Sequence, residues 1–190
     1  DGAAFRPGFR GNLDALTGLC AGPVRDKPGA SFYYDNCDYL VAGRLLEAVN
    51  RQPLATLLAT RITRPLGMAS VAWAGPHITA AGEGPINLAA YGSAAALTGT
   101  LRDLWRFDQA LIDGRLLPKA QRDIMWAGKP GNGFAALGQW SFRVNLRGCK
   151  DDVQLIERRG AIGGSQVRNY ILPERNIVLI AMTNRDTIDF

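Results

Sequence analysis

Histidine and cysteine are scarce in this chain of 190 residues, which has one histidine and three cysteines. Cys20, Cys37 and Cys149 form no Cys-x-x-Cys pair, and there is no histidine cluster. Clusters of these residues supply the ligands of most zinc sites, so we expect no metal and no bound cofactor. A Ser-His-Asp triad would have to use His77, which lies in a loop-like Gly75-Pro76-His77 segment with nothing nearby that indicates a triad.

Long hydrophobic runs are also missing, although 47% of the residues are hydrophobic, as in a globular chain. No run approaches the roughly 20 apolar residues that span a membrane, so we expect no membrane span. The net charge is +5, but the arginines are spread along the chain without interleaved aromatic residues, so we expect no nucleic-acid partner. This basic balance is either an ordinary basic surface or a field that favours anionic substrates or an anionic envelope.

The spacing of Cys20 and Cys37 leaves two possibilities open. These residues flank a loop that contains Pro23, Pro28 and Gly29. They either form a disulfide that braces this loop, with Cys149 left free, or remain as thiols, and three cysteines alone do not decide the compartment.

Apolar residues with helical spacing predict helices in the first two thirds of the chain, and turn residues mark their ends. The predicted helices are Asn12–Leu19, about Asp38–Asn50, Pro53–Ile62, Leu101–Ile112 and Pro118–Trp126. Residues 69–92 have weak periodicity and are predicted to form a long surface excursion.

Strand patterns dominate the last third of the chain. The predicted strands are Ala136–Leu146, Val153–Arg159, Gln166–Leu172 and Ile177–Thr183, with turns at Arg147-Gly148, Ala161–Gly164 and Pro173–Asn176. Such short connections imply antiparallel neighbours. The sequence therefore predicts an α+β fold in one domain over residues 1–190, with a helical part at about 12–126 and a sheet part at about 134–184.

A phenol and a carboxamide stand two residues apart where a loop is predicted to enter a helix. Tyr34 can give or take a proton, and Asn36 can orient a substrate carbonyl. Both side chains can project into a cleft while the helix anchors them. The alternative is structural: a tyrosine in a core and an asparagine that caps the helix.

Several segments in order resemble the serine β-lactamase and penicillin-binding-protein superfamily, in particular its class C branch, which includes D-alanyl-D-alanine carboxypeptidases and esterases. Each motif alone is weak, and the set of five in order is fairly specific. They are Asn12–Leu19, the Tyr34–Gly43 stretch, which is similar to a Tyr-Ser-Asn element, Arg64–Met68, Ala95–Phe107, and residues 137–184, which end in Thr183-Asn184. The resemblance implies a β-lactamase/transpeptidase-like fold.

The third motif of that superfamily, Lys/His-Thr/Ser-Gly on an inner strand, aligns with Arg158-Arg159-Gly160. An arginine cannot serve as a base, but Arg158 can clamp a substrate carboxylate with a two-pronged bond. Arg159 either takes part in binding this carboxylate or faces solvent. The alternative is that both arginines are exposed strand residues beside Glu157 with no role in binding. The resemblance further implies that a backbone N–H of the Gly160–Gly164 region contributes to an oxyanion hole.

The first motif of the superfamily, Ser-x-x-Lys, is absent from this sequence. None of the five serines has a lysine three positions on; they are Ser31, Ser70, Ser93, Ser141 and Ser165. In the superfamily this motif precedes the element that resembles Asn12–Leu19, so we expect the chain to be an incomplete fragment that lacks the nucleophile-bearing half and leaves a sheet edge open.

The resemblance implies a serine hydrolase or acyl-transferase of β-lactamase or D-Ala-D-Ala carboxypeptidase type, with Tyr34 and Asn36 catalytic and Arg158, Arg159 and Gly160 binding substrate. The expected substrate is a small molecule or peptide that bears a carboxylate, and an upstream chain of the same protein is an expected partner. Alternatives are an esterase or amidase on the same fold, or a non-catalytic penicillin-binding-like protein. The resemblance also implies a periplasmic or secreted location.

Overall fold

Helices dominate the first part of the described chain and an antiparallel sheet the last part, in a computed structural model that describes residues 18, 20–24, 26–74, 88–162 and 164–185. The chain divides into two units. Described residues up to Thr100 belong to the first unit, and those from Leu101 onward belong to the second. The predicted helix Asn12–Leu19 lies outside the described residues except for Gly18.

Two consecutive helices occupy much of the described part of the first unit. Helix α1 spans Asn36–Asn50, and α2 spans Leu54–Leu58 and continues as a π-helical turn, Ala59–Thr63. Helix α1 ends where Arg51 takes a left-handed conformation and donates its backbone N–H to Glu47. Pro53 then precedes α2, where its missing N–H costs no hydrogen bond.

A short strand pair and a third helix complete the described part of the first unit. Strand β1, Ala72–Trp73, pairs antiparallel with β2, Leu97–Thr98, and α3 spans Gly92–Ala95 after a 3-10 turn, Leu88–Tyr91. Leu88 and Ala90 are buried, so this part of the segment 69–92, which was predicted as a surface excursion, contributes to the core; Ala96, after α3, is also buried.

Helix α3 packs closely against α1. Ser93 Oγ donates a hydrogen bond to the carbonyl oxygen of Tyr39 at 2.5 Å. A Cβ atom placed on Gly43 would lie 2.2 Å from Ser93 Oγ, so glycine is needed for this approach.

The described part of the second unit contains a four-stranded sheet and the helices α4, Leu101–Ile112, and α5, Lys119–Met125. The strands lie in sequence order and each is antiparallel to the next. Their bounds are β3 Trp140–Val144, β4 Val153–Ile162, β5 Ser165–Leu172 and β6 Ile177–Thr183.

The core of the second unit lies between the helices and one face of this sheet. Leu111 of α4 and Trp126 after α5 pack against Ile156 and Ile171, which are cross-strand partners in β4 and β5. Phe107 and Val178 pack around this cluster. The predicted α+β layout, helices first and antiparallel strands last, is confirmed.

The largest errors of the sequence prediction concern the ends of two strands. Strand β3 begins at Trp140 rather than Ala136, because Gly133, Phe134 and Gly138 all have positive φ and turn the chain. Strand β4 continues to Ile162, through residues predicted as a turn, since its pairing with β5 extends to the last residue before the hairpin.

Candidate functional site

Tyr34 and Asn36 lie where the chain enters α1, as predicted. Asp35 is the N-cap, in an extended conformation, and its carboxylate accepts a hydrogen bond from the backbone N–H of Cys37 at 2.9 Å. Asn36 is the first residue of the helix and is half-buried, whereas the Tyr34 side chain is 60% exposed. The structural alternative is therefore wrong in both parts: the tyrosine is not in a core, and Asp35 rather than the asparagine caps the helix.

A disulfide joins Cys20 to Cys37 and resolves the alternative that the sequence left open. Cys37 is the second residue of α1, so the bond fixes the loop that carries Tyr34 to the first turn of the helix. Cys149 is free and exposed. The cap and the disulfide together hold the backbone on both sides of Asn36.

The loop closed by this disulfide lines a cavity of about 640 Å³ within the first unit. Tyr34, Asn36 and both half-cystines line it, together with Asp26 and Ser31. Asp26 is tied back to the loop by Ser31 Oγ, which donates to it at 2.6 Å, and this hydrogen bond is the main reason that the pKa of Asp26 is lowered. The two candidate catalytic side chains thus border one concave, mostly polar surface.

The predicted substrate-binding residues lie near the end of β4 in the second unit. The pairing of β4 with β3 ends at Glu157, while its pairing with β5 continues to Ile162. Arg158, Arg159 and Gly160 therefore occupy a segment that is paired with β5 but, among the described residues, not with β3. No atom lies within 4 Å of the position that a Cβ on Gly160 would take, so the space beside it is open.

An indole stands beside both arginines. The Cζ atoms of Arg158 and Arg159 lie 5.5 and 5.9 Å from the ring centroid of Trp140, within cation–π range. Arg159 Nε also contacts Glu157 Oε1 at 2.9 Å, although the Arg159 side chain is 57% exposed. Residues 157–159 thus carry one carboxylate and two guanidinium groups, and this local excess of positive charge favours an anion.

The sequence analysis did not single out Trp140 or Asp35. Trp140 is directly opposite Glu157 in the register of β3 and β4, which a correct prediction of the start of β3 would have indicated. Asp35 belongs to a residue type that commonly caps helices, and the predicted helix start was two residues too late to expose this role.

Tyr34 and Asn36 are brought together in the first unit, and Arg158, Arg159 and Gly160 in the second. Within the described ranges, no three His, Cys, Asp or Glu side chains form a group able to hold a metal ion. No helix in the described part of the chain is long and apolar enough to cross a membrane.

The motif order and the α+β architecture agree with the comparison against protein families, in which the family described as Beta-lactamase matches residues 2–189. The chain belongs to the beta-lactamase family. No curated protein sequence matches it.

Solved structures of this superfamily share the fold of the chain. A D-stereospecific amidohydrolase from Streptomyces sp. matches with a TM-score of 0.73 and 24% identity, over 87% of this chain and 54% of that chain. The D-amino acid amidase from Ochrobactrum anthropi SV3, complexed with L-phenylalanine amide, matches with a TM-score of 0.66 and 24% identity, over 86% of this chain and 53% of that one.

The octameric penicillin-binding protein homologue from Pyrococcus abyssi is similar at a TM-score of 0.68 and 20% identity, over 85% of this chain and 40% of that chain. The present chain thus spans about half the length of the structures that it matches. At these identities the likeness concerns the fold.

Proposed function

We propose that this chain supplies part of the active site of a serine acyl-transfer hydrolase whose nucleophile lies outside these 190 residues. Family membership supports a serine nucleophile, and none of the five serines here has a lysine three positions on. The serine Oγ attacks a substrate carbonyl and forms an ester bond to the acyl group. The amine or alcohol leaves with a proton, and water then hydrolyses the acyl-enzyme.

Tyr34 is proposed to carry the proton in this reaction. Its phenol is exposed at the entrance of a helix that the cap and the disulfide hold in place. A positioned hydroxyl of this kind can pass a proton to the leaving group or assist the deacylating water. Asn36, one residue into the helix, is proposed to orient the substrate amide through its carboxamide.

Arg158 and Gly160 are proposed to hold the substrate, and the observation that carries this part is their position on β4 beyond Glu157, the last residue of β4 that pairs with β3. A strand at the edge of a sheet can bind a peptide-like backbone through its main-chain groups. Arg158 would form a two-pronged bond to the substrate carboxylate, with Arg159 strengthening the field. The backbone N–H of Gly160 would contribute to the oxyanion hole, and the open space beside this glycine leaves room for the acyl group.

An amide with a D-configured residue is the substrate class that we favour. The names of two structural neighbours, an amidohydrolase described as D-stereospecific and a D-amino acid amidase, support an amide bond and this configuration. This choice selects the amidase alternative over ester hydrolysis. β-Lactams and peptides ending in D-Ala-D-Ala contain the same kinds of bond and are the competing substrates.

The second candidate is a binding protein that kept the fold without the chemistry. It is favoured by one observation: Arg158 stands where the superfamily has Lys or His, and guanidinium stays protonated. Such a protein would use the same strand end to bind a carboxylate but would form no acyl-enzyme.

We also propose that the protein works in an oxidising compartment, periplasmic or secreted. The disulfide between Cys20 and Cys37 supports this location, since such bonds persist mainly outside the cytosol. Mass measurement of the protein isolated without reductant from that compartment would test it, and two free thiols at these positions would contradict it.

The experiment that tests the proposed function is covalent labelling of the full native protein that contains this sequence. It is incubated with a fluorescent penicillin or a fluorophosphonate, and the labelled residue is located by peptide mass analysis. We expect label on a serine outside these 190 residues. Absence of label on folded protein, together with calorimetric binding of a free D-amino acid, which bears a carboxylate, would favour the binding protein.

A parallel assay decides the substrate class. Hydrolysis of D- and L-phenylalanine amide, a chromogenic β-lactam and a short-chain ester is compared under the same conditions. Faster hydrolysis of the D-amide than of the other substrates would support our choice. Faster hydrolysis of the ester or the lactam would instead indicate an esterase or a β-lactamase on the same fold.

A further inference from the structure

One buried carboxyl group in the second unit plays no part in the proposed function. Asp108 lies in α4 and is 1% exposed, and Asn169 lies in β5 and is 8% exposed. Asn169 Nδ2 donates a hydrogen bond to Asp108 Oδ1, with a distance of 3.1 Å between the two atoms. The contact joins the helix to the middle of the sheet.

Each of the two side chains also has one oxygen that accepts no hydrogen bond. Asp108 Oδ2 and Asn169 Oδ1 are both buried and have no hydrogen-bond partner. Two buried acceptors without a donor are unfavourable, and an ionised carboxylate with a single hydrogen bond is more so. One proton on Asp108 would give the pair the donor that it lacks.

Two arginines lie on elements next to this pair, and their described contacts are with other groups. From α5, Arg122 donates to the carbonyl oxygens of Leu111 and Ile112. From β4, Arg158 is the cross-strand neighbour of Asn169 and shares its sheet face, and the Arg158 guanidinium stands over Trp140.

Among the described residues, the other neighbouring elements bring no cation into a described contact with Asp108. On α4 itself, Asp103 pairs with Arg106. The residues of β5 and β6 that share a sheet face with Asn169 are not titratable; they are Ser165, Val167, Ile171, Val178, Ile180 and Met182. Burial therefore dominates and raises the pKa of Asp108 to about 7, against a smaller opposite effect of the Asn169 hydrogen bond.

We propose that Asp108 is a neutral carboxylic acid in the folded protein and forms a reciprocal pair with Asn169. In this pair Asp108 Oδ2–H donates to Asn169 Oδ1, and Asn169 Nδ2–H donates to Asp108 Oδ1. The pair is a proton-dependent clamp between α4 and β5. It does not depend on the proposed function of the chain.

The pH dependence of the clamp follows from the direction of the shift. The folded protein holds the proton to a higher pH than an unfolded chain, where the Asp pKa is near 3.8. The proton-linked stabilisation is therefore complete below that value and is lost as the pH rises to about 7. Above that range the folded state carries an ionised carboxylate next to an unpaired amide oxygen.

The test compares wild type with D108N in urea unfolding at about pH 5 and about pH 9. The amide of D108N can donate to Asn169 Oδ1 and accept from Asn169 Nδ2, so it keeps both bonds without a titrating proton. Relative to D108N, the folded-to-unfolded ratio of wild type should fall by about a hundredfold between these pH values. The matched control is D113N, which removes an exposed carboxylate just after α4 and should follow wild type.

A second measurement needs no variant to fold. Infrared spectra of protein with isotope-labelled aspartate should show the carbonyl band of an undissociated acid at about pH 5.5, above the range where ordinary aspartates hold a proton. The band should vanish as the pH rises past about 8. A constant difference between wild type and D108N at both pH values, or the absence of this band, would overturn the proposal.

Discussion

Arg122 of α5 donates from Nη1 to the carbonyl oxygen of Leu111 at 2.7 Å and so closes the end of α4. The same nitrogen reaches the carbonyl oxygen of Ile112, and the guanidinium lies 5.3 Å from the ring centroid of Trp126. A cation at a helix C-terminus satisfies carbonyl groups that have no partner within the helix. Arg122 thereby connects both helices of the second unit to its core.

We expect R122A to lower the free energy of unfolding by about 2 to 3 kcal/mol, since it removes charge-assisted hydrogen bonds from partly buried carbonyls. R122K should recover part of the loss, because lysine carries the charge without the planar fork. Urea unfolding measures both. R115A is the control, because Arg115 forms an exposed pair with Asp113 and should cost under about 1 kcal/mol. Equal losses in R122A and R115A would contradict this assignment.

The close contact between α1 and α3 predicts that mutations at Gly43 and Ser93 have non-additive effects on stability. G43A should destabilise the protein by about 1 to 3 kcal/mol, because the new Cβ collides with Ser93. S93G alone should also destabilise it, since it removes the hydrogen bond to Tyr39. The double variant should nevertheless be more stable than G43A. Strict additivity of the two losses in thermal unfolding would show that the helices do not meet in this way.

The disulfide predicts a stability that depends on the reducing conditions. Opening a loop of this length should cost about 3 kcal/mol by the chain-entropy account. The urea midpoint of wild type should fall on addition of reductant, whereas that of C20S/C37S should already be low and insensitive to it. C149S, which removes the exposed free thiol, should behave as wild type. A wild-type midpoint that is indifferent to reductant would count against the bond.

Tyr34 and its neighbour Tyr33 provide a matched pair for the proposed proton transfer. The two residues are 60% and 55% exposed, so neither belongs to the core and both phenylalanine variants should fold. In the full protein we expect Y34F to lower kcat for the amide by about 10²- to 10⁴-fold, as for other proton-transfer groups. Y33F should retain wild-type kcat. Equal activity of the two variants would remove Tyr34 from the mechanism.

The roles of Arg158 and Arg159 can be distinguished by comparing substrates with and without a carboxylate. R158Q should raise KM for a substrate that bears a carboxylate by about 10- to 100-fold, and it should leave a matched substrate without the carboxylate unchanged. R159Q should have the smaller effect, because Arg159 is engaged with Glu157. The reverse order would assign carboxylate binding to Arg159, and equal effects on both substrates would indicate a structural role.

The elements that sequence reasoning located well are those with a strong local pattern. Leu101–Ile112 and Ile177–Thr183 have the predicted bounds, because helical spacing in the one and continuous β-branched and apolar residues in the other leave little choice. The start of β3 was missed because residues 136–139 form a turn that brings Ala135 opposite Trp140, and the positive φ at Phe134 just before this turn has no local signal. A non-glycine residue adopts this conformation only when the surrounding structure imposes it.

The candidate site was predictable to a similar extent. The position of Tyr34 before a helix followed from Asp and Asn residues next to an apolar pattern. The contact of Trp140 with Arg158 and Arg159 did not, because it depends on the register of β3 against β4. The burial of Asp108 was hidden for the same reason: an aspartate in an amphipathic helix gives no sign of whether a sheet residue will cover it.

Strands β3 to β6 lie in the sheet in the order in which they occur in the sequence, and this order has a consequence for the folding kinetics. Each strand pairs with the one made just before it, through hairpins that bring together residues close in the chain. Contacts of this kind close small loops, which folding reaches sooner than pairings between distant segments. The sheet can therefore assemble one hairpin at a time while the chain is still being synthesised, and β6 is the last of the four strands to be added.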